Sequence, residues 1–180
     1  MKEEILIAGF GGQGVLSLGK ILAYSGLMDD KEVSWFPSYG PEQRGGTANV
    51  TVILSDEKIS SPILDTYDIV VALNQQSLDK FSGKVKKGGI LIYDQNGINH
   101  KPDRKDIKIY PINAIEIAME AGNPKGYNMV ILGALMEVMD YKLSMENVEK
   151  GLQKSLPERH HSLIPLNIKT IEKGQALLKK

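Results

Sequence analysis

Apolar residues come in short blocks separated by polar turns. Residues 4–10, EILIAGF, are an apolar run that stops in glycines, which predicts a buried strand. Val15, Leu18 and Leu22 then fall at i, i+3 and i+7, predicting a helix over 15–26. A second strand is expected at 32–36, with Pro37 opening an irregular loop, SYGPEQRGG, over 38–46. Residues 47–54 alternate, so that Val50, Val52 and Leu54 share one face and Asn49, Thr51 and Ile53 the other. After a turn at 55–57, the segment 58–60 leaves room for a short strand returning as a hairpin. Residues 68–73 and 89–93 read as two fully buried strands, and 106–110 as a third, more exposed one.

The last third is helical. A helix over 113–121 should stop at Gly122, and Asn128 can cap a second whose apolar positions include Ile131, Leu132, Leu135, Met136 and Met139. Ser144 can cap a third that ends near Pro157. Pro165 suits the start of a final helix anchored by Ile168, Ile171, Leu177 and Leu178. Strands interleaved with helices predict an α/β fold: a Rossmann-like, mostly parallel sheet with helices on both faces and a helical C-terminal third. No repeat or linker divides the chain, so residues 1–180 are expected to form one domain.

Composition narrows the function. The 22 basic and 22 acidic residues cancel, and neither half of the chain carries the basic surplus of a nucleic-acid binder. A near-zero net charge does little to keep copies apart and suits a subunit with a standing partner. The chain has no cysteine, which excludes disulfides, thiolate zinc sites, a cysteine nucleophile and any iron–sulfur cluster held by its own thiolates. Glu3 and Glu4 stand where a signal peptide needs positive charge, and the longest nearly apolar run, 129–136, is too short to span a bilayer. A cytoplasmic location without membrane contact is expected.

The strongest local signal is Gly9-Phe10-Gly11-Gly12-Gln13-Gly14, a G-x-G-x-x-G pattern between an expected strand and an expected helix. Glycines let the backbone turn sharply and approach a phosphate, which the free N–H groups and dipole of the helix start attract. The same turn could instead merely pack helix against strand. A dinucleotide fold also needs an Asp or Glu at the end of the second strand for the ribose. Here that strand runs into Trp35-Phe36-Pro37-Ser38-Tyr39, without a carboxylate. A P-loop is excluded because Val15, not Lys, follows Gly14. The second signal is the loop holding Ser38, Arg44, Gly45 and Gly46, expected on the carboxyl edge of the sheet beside the glycine turn. Arg44 offers a planar fork for phosphate or carboxylate, or is a solvated surface arginine.

GFGGQGVLSLGKILA, SYGPEQRGGTANVTVILSD and NMVILGAL, in this order and at this spacing, resemble the gamma subunit of 2-oxoacid:ferredoxin oxidoreductases, the pyruvate/ketoisovalerate oxidoreductase gamma family. The RGGTANV wording is more similar to the 2-oxoglutarate branch than to the pyruvate branch. The resemblance implies a holoenzyme that decarboxylates a 2-oxoacid on thiamine diphosphate with magnesium. It further implies electron transfer through iron–sulfur clusters to ferredoxin and acyl transfer to coenzyme A. It places the thiamine site and clusters in partner alpha, beta and ferredoxin-like delta subunits, and has the gamma chain help enclose coenzyme A. Carried over by position, the coenzyme-contacting residues are Gly11, Gly12, Gln13, Gly14, Ser38, Arg44, Gly45 and Gly46. No catalytic side chain and no metal ligand is expected in this chain. An indolepyruvate or branched-chain 2-oxoacid enzyme, or a free-standing nucleotide-binding module, are the alternatives.

Other candidates read as structural. His160 and His161 are adjacent, so in a helix they point about 100° apart and share a metal poorly. His100 belongs to a polar loop, and the methionines at 129, 136 and 139 read as core. Asn74 could touch a ligand or cap the helix that follows it.

Overall fold

The computed structural model describes residues 1–39 and 46–179. In chain order it forms β1 (Lys2–Phe10), α1 (Val15–Met28), β2 (Glu32–Tyr39), β3 (Thr47–Ser55), β4 (Tyr67–Ala72) and α2 (Gln75–Phe81). A 3-10 turn leads into β5 (Val85–Asp94) and β6 (Lys108–Ile112). Four helices follow: α3 (Ala114–Glu120), α4 (Tyr127–Val138), α5 (Met145–Ser155) and α6 (Ile164–Ala176). The strands lie in the order β2-β3-β1-β4-β5-β6. β1, β4, β5 and β6 are parallel, while β3 runs against both of its neighbours. The mostly parallel sheet with helices on both faces is the one the sequence predicts.

Alternation along the strands divides the core. Ile5, Ile7, Val50, Val52, Leu54, Ile69, Val71 and Ile92 face α1 and the four C-terminal helices. Leu6, Ala8, Val70, Ala72, Leu91 and Tyr93 meet Leu78 and Phe81 of α2 on the other face. Burying each large aliphatic side chain is worth about 1.5–3 kcal/mol. In α4 every residue from Met129 to Met136 is buried, the mark of a helix enclosed on all sides. It crosses α6 where Gly133 and Gly174 meet, and a Cβ on either would strike the carbonyl oxygen of Ile171 or Val130.

Four expectations are corrected. Residues 58–60 form no strand, because both edges of β3 are taken by β1 and β2. β2 continues through Pro37 to Tyr39, which an end strand tolerates since the missing donor faces away from the ladder. α4 begins at Tyr127 with Gly126 at its cap, so Asn128 lies in the first turn instead of capping it. Leu177 lies past the end of α6 and is 41% exposed, so it is no core anchor. Ser144 does cap α5, its hydroxyl accepting from the Asn147 N–H at 3.2 Å. Among the described residues no helix is long and apolar enough to cross a membrane.

Candidate functional site

From β1 the chain crosses through α1 to β2 on one side of the sheet, then returns through β3 to β4 on the other. The carboxyl ends of β1 and β4 therefore flank the point where the winding reverses, the crevice in which open α/β sheets bind ligands. The glycine turn sits there. Gly12 and Gly14 have φ of 94° and 76°, a region that L side chains rarely enter. Among the described residues, a Cβ at Gly11 or Gly12 would meet nothing within 4 Å, so they leave the backbone of this stretch open to an incoming group. Gly14 stands at the N-cap of α1, and among the described residues no side chain caps the helix. The partial positive charge at that end thus faces the crevice.

Gln13 fixes the turn. Its Oε1 accepts from the Phe10 N–H at 2.7 Å and from Asn74 Nδ2 at 3.1 Å, and its Nε2 donates to the Leu73 carbonyl at 3.0 Å. One carboxamide therefore ties the end of β1 to the end of β4. The Tyr127 hydroxyl donates to the Gln13 carbonyl at 2.6 Å. Burial, with the nearby Asp94 charge, pushes the Tyr127 pKa well above the ordinary tyrosine value and keeps it a neutral donor. Asn128 crowds the turn from the same helix, its Nδ2 lying 2.5 Å from where a Gly14 Cβ would stand. On the far side the Gly11 N–H donates to the Gly46 carbonyl at 3.1 Å.

The structure thus brings Gly11, Gly12, Gln13, Gly14 and Gly46 together. Ser38 is exposed near the end of β2 and level with Asn49 and Ala8, two strand spacings or about 10 Å from β1. Arg44 and Gly45 lie outside the described residues. Asn74 is the cap of α2, its side chain accepting from the Ser77 N–H at 2.8 Å, and so belongs to the scaffold. Asp94 closes β5 on the same edge; burial raises its pKa, and Oδ1 accepts from the Asn96 backbone and side chain at 3.2 and 2.7 Å. His160 and His161 fall in the 3-10 segment Glu158–Leu163, where His161 contacts the Leu156 carbonyl at 3.0 Å. The backbone around His100 is pinned by Gln75. Among the described residues no three His, Asp or Glu side chains are grouped to hold a metal. The inserted β3 also separates β2 from β1, which removes the position from which a dinucleotide fold supplies its ribose carboxylate. Tyr127 and Asn128 are the members of this site that residue-level reading missed, since in sequence they merely open an apolar helix.

The family model described as pyruvate ferredoxin/flavodoxin oxidoreductase matches residues 4–177. The chain is 39% identical over 171 residues to the ketoisovalerate oxidoreductase subunit VorA of Methanothermobacter marburgensis, covering 95% of this chain and 35% of that relative. It is 38% identical over 161 residues to the 2-oxoglutarate synthase subunit KorC of Methanocaldococcus jannaschii, covering 88% and 86%. The chain therefore spans about a third of the length of the VorA relatives and most of the length of KorC. Among solved structures it is similar to the 2-oxoglutarate:ferredoxin oxidoreductase from Magnetococcus marinus, with 2-oxoglutarate, coenzyme A and succinyl-CoA bound. The TM-score there is 0.85 at 30% identity, covering 98% of this chain and 31% of that one. It is also similar to the gamma subunit of a keto/oxoacid ferredoxin oxidoreductase from Geobacter sulfurreducens, with a TM-score of 0.81, 30% identity and 98% of each chain covered. The resemblance carried by the GGQG turn together with the YGPEQRGG stretch is borne out: the chain belongs to the pyruvate ferredoxin/flavodoxin oxidoreductase family.

Proposed function

We propose that this chain is the gamma component of a coenzyme A-acylating 2-oxoacid:ferredoxin oxidoreductase, and that its glycine turn holds a phosphate of coenzyme A. The observation that carries the reading is the uncapped start of α1 behind an open Gly11-Gly12 backbone at the switch point of the sheet. Coenzyme A suits that site because its phosphates need backbone donors and it makes no demand for the carboxylate that the second strand lacks. The coenzyme A bound in the Magnetococcus marinus neighbour supports the same ligand. With no cysteine in the sequence, the chain has no thiolates for a cluster. Thiamine diphosphate, magnesium and the iron–sulfur clusters are accordingly assigned to alpha, beta and delta partners, and ferredoxin to the role of acceptor, in the cytoplasm.

The substrate is assigned as 2-oxoglutarate, giving succinyl-CoA, because KorC matches along most of both chains. A branched-chain 2-oxoacid is the second reading, favoured by the 39% identity to VorA. Purifying the complex through this chain and assaying coenzyme A-dependent reduction of a viologen dye with each acid decides between them. Turnover with 2-oxoglutarate is expected. Turnover with 3-methyl-2-oxobutanoate alone selects the second reading, and turnover with no 2-oxoacid refutes both.

A further inference from the structure

The outer edge of the sheet carries a surface the fold leaves unused. End strands are commonly blunted by charge, yet Glu32 is the only charged residue of β2. Trp35, Phe36 and Tyr39 are 38%, 44% and 67% exposed. Beside Trp35, α1 and β2 enclose a groove of about 290 Å³ lined by Ala23, Tyr24, Leu27 and Val33, with Lys20 at its border. Strand alternation puts Val33, Trp35, Pro37 and Tyr39 on one face, the face on which Trp35 lies against Gly19 of α1. An apolar stripe thus runs from Leu27 along β2 to Tyr39.

Three observations say what covers it. The fold makes up 35% of VorA and 31% of the Magnetococcus marinus chain, but 86% of KorC and 98% of the Geobacter sulfurreducens subunit. A unit fused to a larger body in some relatives and separate in others needs a standing interface with that body. Pro37 removes one backbone donor from β2, so a second copy that extended the sheet through this edge would meet a break in the ladder. The groove instead suits an occupant that inserts a side chain. Finally, Tyr39 pairs with Ala48 and Ala48 with Gly9, so the stripe ends level with the glycine turn. A body seated on it borders the proposed coenzyme site.

We propose that the Leu27–Trp35–Tyr39 stripe is the docking surface for the polypeptide equivalent to the remaining two-thirds of the longer relatives, which fills the groove with an apolar side chain. This rests on the gamma-component reading above. The test is to co-express the chain with that polypeptide and measure the dissociation constant for wild type, Leu27→Lys and Trp35→Ala. Met119→Lys, on the 64% exposed flank of α3, is the control. Leu27→Lys and Trp35→Ala should each weaken association roughly 30-fold or more, as anchor residues do, with Met119→Lys at the wild-type value. Leu27 is 48% exposed, so its variant should keep the melting temperature of the isolated chain. Wild-type affinity in Leu27→Lys overturns the docking surface alone. A concentration-dependent dimer of the isolated chain that Leu27→Lys abolishes overturns it in favour of a second copy. Failure of the wild-type chain to bind the polypeptide overturns this proposal and the gamma reading together.

Discussion

Replacing Gln13 by alanine removes three hydrogen bonds at once, those with the Phe10 N–H, the Leu73 carbonyl and Asn74 Nδ2. All three are partly buried, so water reaches the orphaned groups poorly. Each such bond contributes about 0.5–1.5 kcal/mol, and a buried group left without a partner costs about 1–3 kcal/mol. The expected loss is about 2–4 kcal/mol, or roughly 5–15 °C in melting temperature for a chain of this size. Gln13→Glu sharpens the test. Its carboxylate can still accept from Phe10 and Asn74, but its second oxygen then faces the Leu73 carbonyl oxygen. Protonation turns that repulsion into an O–H donor, so the variant's folded-state pKa lies above its unfolded value. Its stability relative to wild type should be recovered below the unfolded pKa and lost as pH rises through the folded one. Thermal and urea unfolding at pH 4, below the unfolded glutamate value of about 4.3, and at pH 8 measure both effects. A Gln13→Ala loss under about 0.5 kcal/mol would refute the staple. So would a Gln13→Glu penalty that does not change with pH.

Other perturbations probe separate parts of the account. Gly12→Val should raise the Michaelis constant for coenzyme A in the assembled enzyme, because it forces a side chain onto a φ of 94° and into the open approach to the turn; an unchanged constant with a large melting-point loss would make the turn purely structural. Gly133→Val should cost about 3 kcal/mol or more by driving α4 off α6, read by denaturant titration, and wild-type stability there would contradict the crossing. Glu3 is buried with its carboxylate accepting from the Asp140 and Tyr141 N–H groups at 2.9 and 3.3 Å. Desolvation outweighs those bonds and raises its pKa above 4.5, so its contribution is lost as pH rises through the folded value, and Glu3→Gln should flatten the pH–stability curve just above pH 4.5. Asp56 works the other way: Lys31 and the N-terminal amine pull its pKa to about 2. Its contribution is present above the unfolded value near 3.8 and fades toward pH 2, where Asp56→Asn and wild type should converge in acid titration.

The local patterns were legible and the long-range pairings were not. EILIAGF stops in glycines and Val15, Leu18 and Leu22 share a face, so β1, the turn and α1 could be read directly. Ser144 marked its helix because a hydroxyl at that position satisfies a free N–H. The insertion of β3 between β1 and β2 pairs it with β1 residues 37–53 positions away, and alternation within a strand carries no information about its neighbour. Pro37 looked like a terminator because its effect depends on whether the strand is an edge, which is a tertiary fact. In the site, the glycines announced themselves through backbone need. Gln13 reads in sequence only as part of the turn, because its bonds to Leu73 and Asn74 span about 60 residues and only the folded chain reveals them. Tyr127 and Asn128 reach the turn from more than 110 residues away for the same reason.

The central claim is that coenzyme A meets this chain at the start of α1. A structure of the assembled enzyme with coenzyme A bound tests it most directly. The account predicts a phosphate oxygen within about 3 Å of backbone N–H groups in the stretch from Gly12 to Ser17. Coenzyme A bound with every phosphate on other chains, and that backbone facing solvent, would contradict it.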